Sequence, residues 1–107
     1  MQDYTLVRQG LPPIKFTGKL LSEAETADQS FKVRIYRSKG DRFIPEIERS
    51  YRNETVYKNA SAFLYAKDAI EWLKEGEPTL GKISQEAIEK ACAVDNEFAS
   101  AWVEVVE

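Results

Sequence analysis

The sequence predicts an α+β fold: an N-terminal antiparallel sheet of three or four strands, with two or three C-terminal helices packed on one of its faces. Two observations carry this. Between Ile14 and Ile47 apolar and polar residues repeatedly alternate with the period of a half-buried strand, and from Ala66 onward apolar residues recur at i, i+3, i+4 and i+7, the period of an amphipathic helix. Strands grouped before helices give segregated layers rather than a parallel sheet with crossover helices.

Pro12-Pro13 punctuates the start of the first expected strand, in which Ile14, Phe16 and Leu20 point one way and Lys15, Thr17 and Lys19 the other. Ser22 to Ser30 is polar and acidic, which reads as a surface loop. Phe31 to Arg37 alternates again, and Ser38-Lys39-Gly40-Asp41 supplies a glycine for a hairpin closed by a type I turn and a Gly40 bulge. That turn sets Tyr36 against Arg42, Ile35 against Phe43, Arg34 against Ile44, Val33 against Pro45 and Lys32 against Glu46. Phe31, Val33, Ile35, Phe43 and Ile47 then share one face. Pro45 marks an edge or an interruption of its strand, because proline cannot donate to a ladder.

Residues 49–65 are mixed and polar, with Thr55 to Tyr57 the one strand-like run, and the pattern does not place them. Ala66, Ala69, Ile70 and Leu73 then form a helical stripe that Gly76 and Pro78 end. Ser84 is positioned to cap a second helix, flanked by Ile83 and Ile88 as a hydrophobic staple, with Ala87, Ile88 and Ala91 as its buried stripe. Asp95 can cap a third, carrying Phe98, Ala101, Trp102 and Val105. A terminal strand over residues 102–106 competes with the end of that helix, since β-branched residues lose rotamer freedom in helices.

At 107 residues, with 43% hydrophobic and 31% charged, the chain suits a single domain spanning 1–107. It has one cysteine, Cys92, and no histidine, which excludes an intrachain disulfide and the Cys/His zinc sites. Met1 to Gly10 lacks the basic-then-apolar pattern of a signal peptide, and no stretch approaches the ~18 consecutive apolar residues a spanning helix needs. A soluble cytoplasmic protein is the expectation.

The net charge of −3 is uneven: residues 1–58 carry 11 Lys/Arg and 8 Asp/Glu, residues 59–107 carry 4 and 10. If the first strand pairs with the hairpin, the sheet face away from the helices shows Lys15, Lys19, Lys32, Arg34, Tyr36 and Arg42, an exposed aromatic among cations. Such a face suits phosphates and a stacked base. Catalytic patterns are missing: Cys92 has no histidine base, Thr17-Gly18-Lys19-Leu20 lacks the upstream glycine and the Ser/Thr of a phosphate loop, and no dinucleotide fingerprint occurs. Glu46 and Glu48 share a strand face and could hold a hard divalent cation, although neighbouring cations favour plain charge pairing.

The reading that follows is a small non-catalytic interaction domain that docks on a protein partner, without a cofactor or metal. Nucleic-acid binding through the six residues of the sheet face is the alternative, and a metal-assisted enzyme using Glu46 and Glu48 a distant third. Homodimerisation, through a strand edge or the valine-rich terminus, is compatible with all three.

Overall fold

The computed structural model describes residues 1–103, arranged as a five-stranded antiparallel sheet followed by three helices. The strands are β1 (Gln2–Arg8), β2 (Leu11–Glu25), β3 (Phe31–Ser38), β4 (Phe43–Tyr51) and β5 (Glu54–Ala60), paired in sequence order; the helices are α1 (Ala66–Leu73), α2 (Lys82–Val94) and α3 (Asn96–Ala101). The α+β class stands, with five strands in place of three or four.

The two added strands lie where the polar pattern is weakest. β1 alternates Tyr4 and Leu6 with Asp3, Thr5 and Val7. It turns into β2 through Gln9-Gly10, where Gly10 takes the positive φ of 75° that the second loop position of a type II turn requires. β5 follows β4 through Arg52-Asn53, both in the left-handed region at φ 52° and 66°, the geometry of a type I′ hairpin.

β2 governs the architecture. Its first half, Leu11 to Gly18, pairs with β1, and its second half, Gly18 to Glu25, pairs with β3, so Gly18 stands where the two ladders meet. A Cβ at Gly18 would come within 2.3 Å of the Arg37 carbonyl oxygen, so glycine is required there. Between Leu20 and Ser22 the register shifts, leaving Leu21 as the extra residue of a β-bulge. Side chains alternate with period two, so one extra residue exchanges faces. Before the bulge Phe16 and Leu20 face the side of Tyr36, whereas after it Ser22 and Ala24 face the side of Ile35 and Val33.

The sheet therefore has apolar clusters on both faces. On one, Ala24, Val33, Ile35, Phe43 and Ile47 pack with Ala69, Ile70 and Leu73 of α1, Ala87, Ile88 and Ala91 of α2 and Phe98 of α3. Phe43 and Phe98 meet edge to face at 5.3 Å between ring centroids, and burying each side chain stabilises the fold by roughly 1.5–3 kcal/mol. On the other face the β1–β2 ribbon folds back over the sheet, setting Leu6, Tyr4, Ile14 and Phe16 against Tyr36, Ile44 and Ala60. The Gln9 N–H donates to the Lys58 carbonyl at 3.0 Å and ties the tip of this ribbon to β5.

Several expectations are corrected by this arrangement. Ser22 to Glu25 is strand, not loop: its inward residues are small because α2 lies against them, and the Ser22 hydroxyl donates to the Ala87 carbonyl. The β3–β4 turn places Asp41, not Gly40, in the left-handed region at φ 61°. That one-residue move of the turn slides the ladder by two, pairing Tyr36 with Ile44, Ile35 with Pro45, Arg34 with Glu46, Val33 with Ile47 and Lys32 with Glu48. A slip of two preserves facing, so Phe31, Val33, Ile35, Phe43 and Ile47 still share a cluster.

Pro45 lies in an interior strand, and the ladder between β4 and β5 ends beside it, at Glu46 and Ala60. α2 begins two residues before Ser84, with Gly81 as its cap residue and Ser84 buried inside the first turn. α1 and the Asp95 cap of α3 fall where the pattern puts them. α3 ends at Ala101. The competing strand over 102–106 lies largely outside the described residues, as does Val105.

Candidate functional site

The six residues expected to form one basic face are divided by the bulge in β2. Lys15 and Lys19 are exposed, but they alternate with Phe16 and Leu20 and so point away from the Tyr36 side. Arg42 is exposed and lies between the strands, in the β3–β4 turn, where its backbone N–H donates to the Ser38 hydroxyl. Lys32, Arg34 and Tyr36 remain together on β3. The six do not form one surface.

Tyr36 is 5% exposed, beneath the β1–β2 ribbon, with its ring 4.8 Å from that of Tyr4 and 5.4 Å from that of Phe16. Its hydroxyl donates to Glu46 Oε1 at 3.4 Å, and burial, followed by the Glu46 charge, holds the phenol above its ordinary range. No open ring face is left for a base.

Arg34 is the hub of a charged ladder across β2, β3, β4 and β5. Its Nε donates to Glu23, and its Nη1 to Glu46 Oε1 and Glu48 Oε1, each at 3.1 Å. Lys58 Nζ lies 3.8 Å from Glu46 Oε2, Lys32 Nζ lies 3.8 Å from Glu25, and the Thr55 hydroxyl donates to Glu48 Oε2 at 2.9 Å. Four carboxylates thus meet three cations on a face where the sequence suggested a positive patch. The carboxylates could be missed because they come from strands that the polar pattern did not place, or sat two residues out of register.

Glu46 and Glu48 do share a face, yet Arg34 Nη1 bonds both and takes the position a divalent cation would need. Among the described residues no group of three or more acidic or Cys side chains is disposed to hold a metal. Burial by itself raises the Glu48 carboxyl, but hydrogen bonds from Thr55 and Arg34 and the charges of Lys58 and Arg34 outweigh it and hold the group below the usual glutamate range. Glu46, 2% exposed, is part of the fold's interior. Cys92 is half-buried, and burial, with the charges of Glu89 and Asp95, pushes its thiol upward, the opposite of an activated nucleophile.

A second ion cluster joins sheet to helices. Arg37 reaches from β3 to Asp95 at 2.7 Å, to Glu97 at 2.8 Å and to Asp41 at 3.4 Å, with its guanidinium 4.9 Å above the Phe43 ring. Asp95 simultaneously accepts from the N–H groups of Glu97 and Phe98 as the cap of α3.

Val7, Leu11, Leu20, Tyr51 and Val56 are exposed on the strands, but the groove with an apolar lining lies on the helices. A groove of about 430 Å³ runs between α1 and α3, lined by Lys67, Ile70, Glu71, Lys74, Ala101, Trp102 and Val103. A shallower depression of about 300 Å³ continues it past Tyr65 and shares Lys67 and Ala101 with it. Leu64, Tyr65, Trp102 and Val103 are 51%, 57%, 37% and 63% exposed. Lys67 has no carboxylate within ion-pair distance among the described residues, while Lys74 pairs with Glu71 at 3.0 Å. Short apolar runs around a single Trp gave no sequence signal for this surface, because its two halves are separated by more than thirty positions in the chain and meet through the packing of α3 on α1. Among the described residues no helix is long and apolar enough to cross a membrane. No family model, no curated protein and no solved structure matches the chain, so its function has to be read from its own surface.

Proposed function

We propose that the protein is a small non-catalytic docking module whose binding surface is the α1–α3 groove. The observation that supports this is the continuity of exposed Tyr65, Trp102 and Val103 along two adjoining depressions. Adjacent exposed apolar side chains are costly to leave in water, and such patches mark contact surfaces in soluble domains. Trp and Tyr are the side chains that most often anchor the centre of an interface.

The occupant that fits is a protein segment with apolar side chains for the groove and a carboxylate opposite Lys67. The sheet face is the poorer docking surface, since its cations are already matched by Glu23, Glu25, Glu46 and Glu48.

The test compares three forms recovered from the native cell: the unaltered chain, a Trp102→Ala, Val103→Asp double variant, and a Lys15→Glu, Lys19→Glu control on the sheet. Docking at the groove predicts a stoichiometric partner retained by the first and third and lost from the second, with circular dichroism unchanged. A partner kept by the Trp102 and Val103 variant, or a monomer without partner in all three, overturns the assignment. A dimer by sedimentation that the groove variant abolishes identifies the occupant as a second copy.

A further inference from the structure

Where β5 passes the C-terminal end of α1, a cleft of about 380 Å³ opens, lined by Ile47, Tyr57, Asn59, Glu71, Trp72 and Glu75. Two features of it act in the same electrostatic direction. Tyr57 and Trp72 are half-buried, so each ring is held by the fold while part of it borders the cleft; the face of an aromatic ring is its negative region. Glu71 and Glu75 bring two carboxylates. α1 ends at Leu73 with Lys74 as its C-cap, a cation that offsets the negative end of the helix dipole, so the dipole adds nothing to the cleft.

The polar groups nearest the rings are themselves arranged. Asn59 donates from its amide to the Tyr57 hydroxyl at 3.2 Å, and its Oδ1 accepts from the Ala60 N–H, so both the amide and the phenol are oriented before any ligand arrives. Trp72 is packed against Phe63, with ring centroids 6.4 Å apart. Two resident cations approach from the rim: Arg49 pairs with Glu75 at 3.0 Å and Lys74 with Glu71 at 3.0 Å. Both carboxylates are well exposed, and pairs of that kind are weak and exchange readily with solvent ions.

We infer that this cleft binds an alkylammonium group, seated on the Tyr57 and Trp72 rings and facing Glu71. A compact cation with apolar methyl or methylene surface satisfies every part of the lining, because the rings and Ile47 take the carbon surface while the carboxylates and ring faces take the charge. A phosphate or carboxylate ligand would meet like charge. A neutral apolar ligand would leave Glu71 and Glu75 unused. The inference does not rest on docking at the α1–α3 groove: the cleft opens between the sheet and α1 and shares only Glu71 with that groove, while Tyr57 and Trp72 line the cleft alone.

Choline and its neutral isostere 3,3-dimethyl-1-butanol separate charge recognition from shape. Both are titrated into the full chain while the indole N–H resonances of Trp72 and Trp102 are followed by NMR, with a Trp102→Phe variant assigning the two. Choline is expected to shift the Trp72 resonance saturably in the millimolar range, with the isostere at least ~10-fold weaker, a ratio that one lost cation–ring contact plus one lost charge contact accounts for. Glu71→Gln should weaken choline several-fold, and the Asn59 side-chain amide resonances, followed in the same titration, should shift with choline in the unaltered chain and not in Trp72→Leu. A trimethyllysine peptide titrated in parallel distinguishes a side chain of a partner from a free small ligand as the source of the cation. Equal binding of choline and the isostere, a choline response insensitive to Glu71→Gln, or no saturable shift of Trp72 with any of the three probes overturns the inference.

Discussion

Arg37 and Asp95 show how much one residue can carry. Asp95 is 5% exposed and does two jobs, capping α3 and neutralising an arginine from β3. Asp95→Ala removes both the cap and one of the three carboxylates around Arg37, which should destabilise the fold by about 2–4 kcal/mol. Asp95→Asn keeps a cap acceptor and loses the charge, so urea titration should place it between the two. Equal midpoints for the Ala and Asn variants would mean that the cap contributes nothing. Gly18 is a different case: its lack of a side chain is what the fold uses. Gly18→Ala pushes a methyl into the backbone of Arg37 and Ser38, and a loss of about 1–3 kcal/mol or more is expected from such overpacking. An unchanged urea midpoint would show that the two ladders need not meet so closely. Neither role is visible in a pattern of apolar and polar residues, although Asp95 as a cap is legible from its position before an amphipathic run.

At the scale of elements, the helices were readable and the sheet only in outline. α1 and α3 announce themselves through a period of 3.6 and a stop or start residue. β3 and β4 announce themselves as a hairpin whose apolar set survives a register error of two. β1 and β5 are short and half polar, because each is an outer strand with one side open to water, so alternation is diluted there. The ladder of Glu23, Arg34, Glu46, Glu48, Thr55 and Lys58 could not be assembled without β5 and without the second half of β2, whose polar run reads as a loop. It makes a prediction in pH. The folded Glu48 carboxyl titrates below its ordinary value of about 4.5, so the stability it contributes is complete above that value and is lost as pH falls through the lowered folded value. The free energy of unfolding should therefore drop on acidification below about pH 4.5, and Glu48→Gln should make that drop shallower. Urea titrations at pH 6, 4 and 3 measure the slope. A steeper slope in the variant would contradict the assignment.

For the molecule as a whole, the distribution of charge differs from what the uneven halves of the sequence suggest. The N-terminal half is basic in count, yet Lys32, Arg34, Arg37, Arg49 and Lys58 all stand within ion-pair distance of carboxylates, three of which, Glu75, Asp95 and Glu97, come from the acidic C-terminal half. Folding pairs these five cations, while Arg8, Lys15, Lys19, Lys39, Arg42 and Arg52 have no carboxylate within ion-pair distance among the described residues; the apolar groove lies apart from both sets, on α1 and α3. This moves the search for partners from the sheet to the helices. It also explains why composition pointed elsewhere: a count of cations does not say which of them the fold will neutralise.

The bulge at Leu21 has a consequence for how such a chain can change over generations. Most strands tolerate substitution at a single site with local effect, whereas loss of one residue here would exchange the surfaces presented by half of β2 relative to the other half. Phe16 and Leu20 would be turned outward, and Lys15 and Lys19 would be turned toward Tyr36. A length variant at this position would have to rebuild one apolar cluster entirely, so chains sharing this architecture should conserve the spacing between Gly18 and Ser22 more strictly than the identity of the residues between them.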